Sequence, residues 1–344
     1  MIQNEKSGIV QSLPMSTNAN RHPMNPTVIE MTKPALGSSQ SSLRTIAPGF
    51  AWAGLSVAIL SGWFVVTRVG FRHALNVWDV TGLRFGEGAI LLTPTLLVGP
   101  SRLPIRAWTQ GIALATLWGA PFILLVGIGL QLTSATLASS ITPALMPIFA
   151  GAIGWAMLGE LPRGPQISGY ILIAAGLSVL IYGYALTEGR PNAAGVLTLI
   201  VAAAMWAAYT LRLRGNGLTP LQAAALICFW SAVFYVPIYI GLSLSNLRYA
   251  SGRELLFQSL YQGFMMSVVA MFAFNCAVAS LGPRAAAAIV ALVLVAATVV
   301  AIPVLGEVPS LPSATAVCVI AIGVMLAASS PQSKPSLKAT GESA

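Results

Sequence analysis

The sequence predicts an all-α polytopic membrane protein, with ten transmembrane helices built as two inverted five-helix repeats. Three observations carry this. Of the 344 residues, 56% are hydrophobic and only 8% charged, against roughly 25% charged in an ordinary soluble domain. A soluble fold must cover its surface with polar side chains, so the surplus apolar residues here must face lipid. Those residues gather into ten runs, each near the roughly 20 residues a helix needs to cross the hydrocarbon. Finally, a motif that is not merely apolar recurs at a fixed offset in the two halves.

The runs cover roughly 50–70, 77–98, 107–130, 133–158, 165–186, 192–212, 219–243, 257–281, 284–305 and 309–329. Short connections such as Gly99-Pro100-Ser101-Arg102 and Arg214-Gly215-Asn216-Gly217 separate them and leave no room for a soluble domain. Residues 1–47 and 330–344 have polar compositions without apolar periodicity and are expected to be disordered cytoplasmic tails. The first lacks the apolar stretch of a cleavable signal peptide. Between them, 48–186 and 190–329 are expected to form the two repeats.

The net charge of +9 does not point to nucleic acid, because all four lysines lie in the tails and the arginines sit mainly between apolar runs. That distribution orients a chain at a membrane. With the N-terminus inside, twelve basic residues fall on the inner side and five (Arg68, Arg72, Arg190, Arg248, Arg253) on the outer side, with Arg84 inside a span. Both termini are therefore expected to be cytoplasmic. Cys228, Cys276 and Cys318 lie in apolar runs without metal-ligand spacing and are read as packing residues.

The repeat has an offset of 147. Leu158-Gly159-Glu160-Leu161-Pro162 aligns with Leu305-Gly306-Glu307-Val308-Pro309, Pro165 with Pro312, and Ile173-Ala174-x-Gly176 with Ile320-Ala321-x-Gly323. A fainter echo aligns Trp63-x-x-x-Thr67 with Trp206-x-x-x-Thr210. Five spans per unit is odd, so the units must enter the membrane in opposite directions. That plan gives two near-equivalent states, one open to each face, and is a transporter's architecture. In the hairpins, Gly159 and Gly306 suit a left-handed helix cap and Pro162 and Pro309 end the turn. Glu160 and Glu307 should then sit at the positive N-terminus of the helix that follows each of them, as architecture.

The paired Leu-Gly-Glu-x-Pro hairpins (Leu158–Pro162 and Leu305–Pro309), the ten spans and Thr81-Gly82-Leu83-Arg84-Phe85 resemble the EamA branch of the drug/metabolite transporter superfamily. The resemblance covers about 50–329 and implies a carrier of small metabolites, often an exporter, multi-pass in the cell membrane (the inner membrane of a bacterium). It also places spans 1, 3, 4, 6, 8 and 9 around a central cavity. Trp63, Trp118, Trp206 and Tyr209, aromatic residues at mid-depth, then become candidate substrate contacts, each indole needing a partner for its N–H. Ser139 and Thr142, from a span unusually rich in hydroxyls and carrying Pro143 and Pro147, and Asn275 join them. The sequence departs from the family at Leu294, Cys276 and Glu87.

Span 2 carries Asp79, Arg84 and Glu87. Ionisable groups inside a bilayer are costly and usually face the bundle interior. Arg84 and Glu87, three apart, share a helix face and can pair; Glu87 is the candidate proton carrier, with a proton as coupling ion and Arg84 tuning it. Asp79 is expected near the outer interface. The sequence has no nucleophile elbow, zinc motif or phosphate loop, so no metal, cofactor or catalysis is expected. The expected partners are a small-molecule substrate and the bilayer. The leading function is a secondary transporter for an amino-acid-like or amphipathic metabolite, working by alternating access. The competing readings are a membrane-embedded transferase-type enzyme and a non-transporting assembly subunit.

Overall fold

The computed structural model describes residues 38–97, 103–159, 161–213, 217–281 and 283–328, with side chains from 48 onward except at 158, 220, 275, 278, 279 and 283–286. Among the described residues the chain is all helical. It runs α1 (Ser38–Arg72), α2 (Val77–Leu97), α3 (Ile105–Trp118), α4 (Ala120–Leu132), α5 (Ala135–Leu158), α6 (Gly164–Thr187), α7 (Ala193–Leu213) and α8 (Pro220–Gly241). A 3-10 turn (Leu247–Tyr249) precedes α9 (Gly252–Ser259), which continues through a π-helical stretch (Leu260–Ala270) into α10 (Met271–Leu281). Then come α11 (Pro283–Leu305) and α12 (Leu311–Ala327).

Eight helical segments among the described residues are long and apolar enough to cross a membrane. The two other apolar runs are helical as well. One is α2, which carries Asp79, Arg84 and Glu87; the other is α12, with 17 residues. Large apolar side chains such as Trp155, Ile171, Leu197, Ile240 and Leu292 are exposed around the bundle, as a lipid-facing surface requires.

Several boundaries depart from expectation for local reasons. α1 begins at Ser38, ahead of 48, because nothing from 38 to 47 breaks a helix. The third run is two helices, not one. Gly119 leaves the helical region (φ −94°, ψ −141°), and a side chain there would collide with Ser231 and the Ala115 carbonyl. Pro121 then falls in the first turn of α4, where its missing N–H costs nothing. The eighth run is extended backward to Gly252, where Ser251 caps α9 by accepting from the Glu254 N–H at 3.2 Å.

Helices of the two halves interleave. α1 packs on α10 and α11, α7 on α4 and α5, α2 on α8, α5 on α11, and α6 on α12. The α6–α12 contact is glycine-mediated and antiparallel. A side chain on Gly169 would meet the Gly323 carbonyl at 2.7 Å, and one on Gly323 would meet the Gly169 carbonyl at 3.0 Å. Further along α6, Gly176 faces Ala316 and Ile320, and Gly183 faces Ser310 and Ser313. Small residues of this kind let helix backbones approach closely in a membrane.

Candidate functional site

Between α1 and the π-helical stretch lies a buried polar ladder. The Trp63 indole donates to Gln262 Oε1 at 2.8 Å, and Gln262 Nε2 donates to Thr67 Oγ1 at 3.1 Å and to Gln258 Oε1 at 3.2 Å. Gln258 Nε2 donates to the Val66 carbonyl at 2.9 Å, and the Tyr261 hydroxyl to the Ile59 carbonyl at 2.8 Å. Gln258 and Gln262 sit one helical turn apart, so one face of the stretch reads the α1 backbone and fixes the Trp63 ring. Neither glutamine was singled out from the sequence. The signal was there, as two amides four apart inside an apolar run.

Arg84 lies beside this ladder, 6% exposed, with its guanidinium 5.8 Å from the ring centroids of Trp63 and Phe85. It does not pair with Glu87. Instead Glu87 accepts a hydrogen bond from the Ser259 hydroxyl at 2.6 Å, and its carboxylate lies over Gly263, where any side chain would collide with it. Arg84 and Glu87 do share a helix face, but their side chains leave it toward different neighbours.

In a second buried group, Trp118 at the end of α3 stacks on Tyr209 of α7, with centroids 4.9 Å apart and planes at 11°. Phe122 touches both Trp118 (6.0 Å) and Trp206 (6.2 Å). The Trp118 indole N–H is buried without a hydrogen-bond partner among the described residues, contrary to the expectation that each mid-depth indole is bonded. Thr142 of α5 donates to the Leu199 carbonyl of α7 at 3.1 Å, whereas Ser139 bonds its own helix at Thr136. Ser140 is buried with its hydroxyl unpartnered among the described residues. So Trp118, Trp206 and Tyr209 form one aromatic group with Thr142 nearby in the α5–α7 contact, while Trp63 belongs to the amide ladder. The Asn275 side chain lies outside the described residues.

A third cluster ties helix ends together. Gly159 and Gly306 take left-handed conformations (φ 68° and 69°). Glu307 does not serve the following helix, α12. It accepts from the Ala135 N–H of α5 in the other half at 2.9 Å, and its second oxygen stands 3.6 Å from both Arg68 and Arg72 at the end of α1. Arg68 also donates to the carbonyls of Leu130 and Gln131 at the end of α4, and Arg72 to that of Leu305. The N-terminus of α12 is capped instead by Ser310, which accepts from the Ser313 N–H. A small cleft at this end is lined by Thr136, Tyr184, Glu188, Glu307, Ser310 and Ser313. Glu160 lies outside the described residues.

Asp79, in the first turn of α2, is fully buried within the protein. It accepts from the Tyr239 hydroxyl at 2.6 Å, the Asn246 N–H at 3.0 Å and the Asn76 N–H at 2.9 Å, while Asn76 Oδ1 accepts from the Asp79 N–H. The reciprocal Asn76–Asp79 pair is a capping box for α2.

An all-helical, lipid-faced bundle with a polar and aromatic interior, built from two halves that share a hairpin, defines a polytopic membrane protein of the carrier type. The sequence profile of the EamA-like transporter family matches twice, over residues 47–182 and 193–329. The chain belongs to this family and is a membrane transporter. It is 24% identical over 297 residues to the "Uncharacterized transporter YwfM" of Bacillus subtilis (strain 168), covering 83% of this chain and 97% of that one. A solved structure, described only as a "Crystal structure of protein", superposes with a TM-score of 0.56 over 83% of this chain and 95% of that one. At 18% identity it speaks for the fold alone.

Proposed function

We propose that the chain is a secondary transporter, and no enzyme, that moves a small amino-acid-like or amphipathic metabolite by alternating access, as an exporter. Its ten helical passes form two inverted repeats, 48–186 and 190–329, with both termini cytoplasmic. The observation that carries this is the antiparallel packing of α6 on α12. Gly176 meets Ile320, and Gly323, its counterpart at offset 147, meets Ile173, the counterpart of Ile320. Exchanging the two helices maps one contact onto the other, and their opposite directions make the exchange an inversion. A fold of this kind has two nearly equal states. The Glu307 cluster then closes the outer end in the state described here, and Trp63, Trp118, Ser139, Thr142, Trp206 and Tyr209 line the substrate path.

In this reading Glu87 carries a coupled proton and Arg84 tunes it, because a carboxyl whose surroundings change with conformation binds its proton differently in the two states. The experiment is counterflow in proteoliposomes loaded with amino acids or amphipathic amines. Exchange of any of them is the expected result. Glu87→Gln should retain exchange and lose proton-driven accumulation; accumulation with unchanged pH dependence would leave the carboxyl a structural partner of Ser259. Absence of exchange for every solute, in protein that remains monodisperse, would favour the assembly-subunit or transferase reading.

A further inference from the structure

Among the described residues, Arg84 is a buried cation whose charge no carboxylate answers. A guanidinium offers five N–H donors and no acceptor, and it stays ionised under all ordinary conditions. Arg84 is more than nine-tenths buried, and its Nε and Nη1 are buried without any hydrogen-bond partner among the described residues. The faces of Trp63 and Phe85 offer cation–π attraction at 5.8 Å, which lowers the cost of the charge but accepts no linear hydrogen bond. Leaving buried donors unmade on a charged group costs more than leaving neutral ones.

The neighbour that could neutralise it is held off. Glu87 is bound by Ser259 and rests on Gly263, a position without a side chain where any other residue would push the carboxylate away. The ring under Arg84 is held still at the same time, because Gln262 grips the Trp63 indole and is itself gripped by Thr67 and Gln258. Fixed surroundings, free donors and a diverted counter-charge together describe a receptor for an anion that arrives from elsewhere.

We propose that Arg84 is the anchor for the single carboxylate of the transported solute; this rests on the carrier reading above and adds the chemical class of its cargo. A carboxylate matches the guanidinium fork and gives charge-assisted hydrogen bonds, the strong kind. The class is a monocarboxylate, free or zwitterionic. A second negative charge is not served by the two other arginines of α1, since Arg68 and Arg72 are committed to Glu307 and to helix-end carbonyls. The solute's apolar part meets Trp63 and Phe85.

The test uses the whole purified protein in detergent and pairs of probes in which a carboxylate is replaced by its near-isosteric amide: leucine and leucinamide, phenylalanine and phenylalaninamide, benzoate and benzamide. Binding is read from the shift of the thermal unfolding midpoint with probe concentration. At least one carboxylate should stabilise the wild type where its amide does not. Arg84→Gln should raise the half-saturating concentration of that carboxylate about tenfold or more, the worth of one charge-assisted bond, without lowering the unfolding midpoint of the unliganded protein. Arg84→Lys should lose less. Two results overturn the proposal: a wild type that binds amides as well as carboxylates, or an Arg84→Gln protein that binds the carboxylate as the wild type does. If Arg84→Gln does not fold, the wild-type pairs and Arg84→Lys still decide. Exchange of uncharged solutes without carboxylate binding would sink the anchor and spare the carrier. Carboxylate binding without exchange of any solute would do the reverse.

Discussion

Glu307 shows how much one side chain can hold in a bundle with few charges. Its two oxygens serve three partners from α1 and α5, and the side chain is only 10% exposed. Glu307→Ala should destabilise the protein by about 1–3 kcal/mol, the cost of leaving such partners unsatisfied, with Glu307→Gln in between because its amide oxygen still accepts from Ala135. Thermal unfolding in detergent checks both. Tyr209 is a gentler case. Its ring stacks on Trp118, so Tyr209→Phe should keep transport near wild type. Tyr209→Ala should weaken substrate affinity and cost about 0.5–1.5 kcal/mol for the stack alone, seen as a raised half-saturation in counterflow. At this scale the sequence was legible in part. Gly159 and Gly306 announce their left-handed caps because only their neighbours in the chain matter. The partners of Glu307, and Tyr239 and Asn246 about Asp79, do not announce themselves, since they lie more than 150 positions away; only the Asn76 half of the Asp79 cluster is local. Arg84 and Glu87 misled because spacing along a helix says nothing of Ser259 or Gly263 waiting across it.

Among the elements, α6 and α12 are the pair most sensitive to volume. A methyl group on Gly169 would press on the backbone of Gly323 and Ala327, neither of which can turn aside. Gly169→Ala should therefore destabilise by about 1–3 kcal/mol, as overpacking does. Gly54→Ala in α1 is the control: nothing lies within 4 Å of its new methyl, and the gain in helix propensity should leave stability equal or raised by up to about 1 kcal/mol. Unfolding midpoints of the two variants, measured side by side, test the contrast. The repeated glycines were visible as identities at offset 147, but not what they touch. The break at Gly119 was written in Gly119-Ala120-Pro121, yet a hydropathy reading smooths over a single turn. The π-helical widening is not legible in the apolar pattern; what the run does show is Gln258 and Gln262, whose partners lie on α1.

For the whole molecule, the lipid-facing helical class was fixed by composition, because an excess of apolar residues has nowhere else to go. Orientation was decided by basic residues that lie mostly in the tails. On the proposed topology a reporter fused after Pro331 reads as cytoplasmic, and an external reading would remove one pass from the count. The two halves also differ where they should match. Trp63 and Trp206 occupy corresponding places on α1 and α7, but the first donates to the Gln262 amide and the second meets the Phe122 ring edge-on. At the offset of 147 the position matching Gln262 is Ala115, which has no amide to take its part. The two family-matched halves have thus diverged in their interiors, and neither carries the side chains that would let it stand in for the other. The segments 1–190 and 191–344 produced as separate polypeptides in one cell should assemble into a complex that survives purification, while either segment produced alone should be degraded or aggregate.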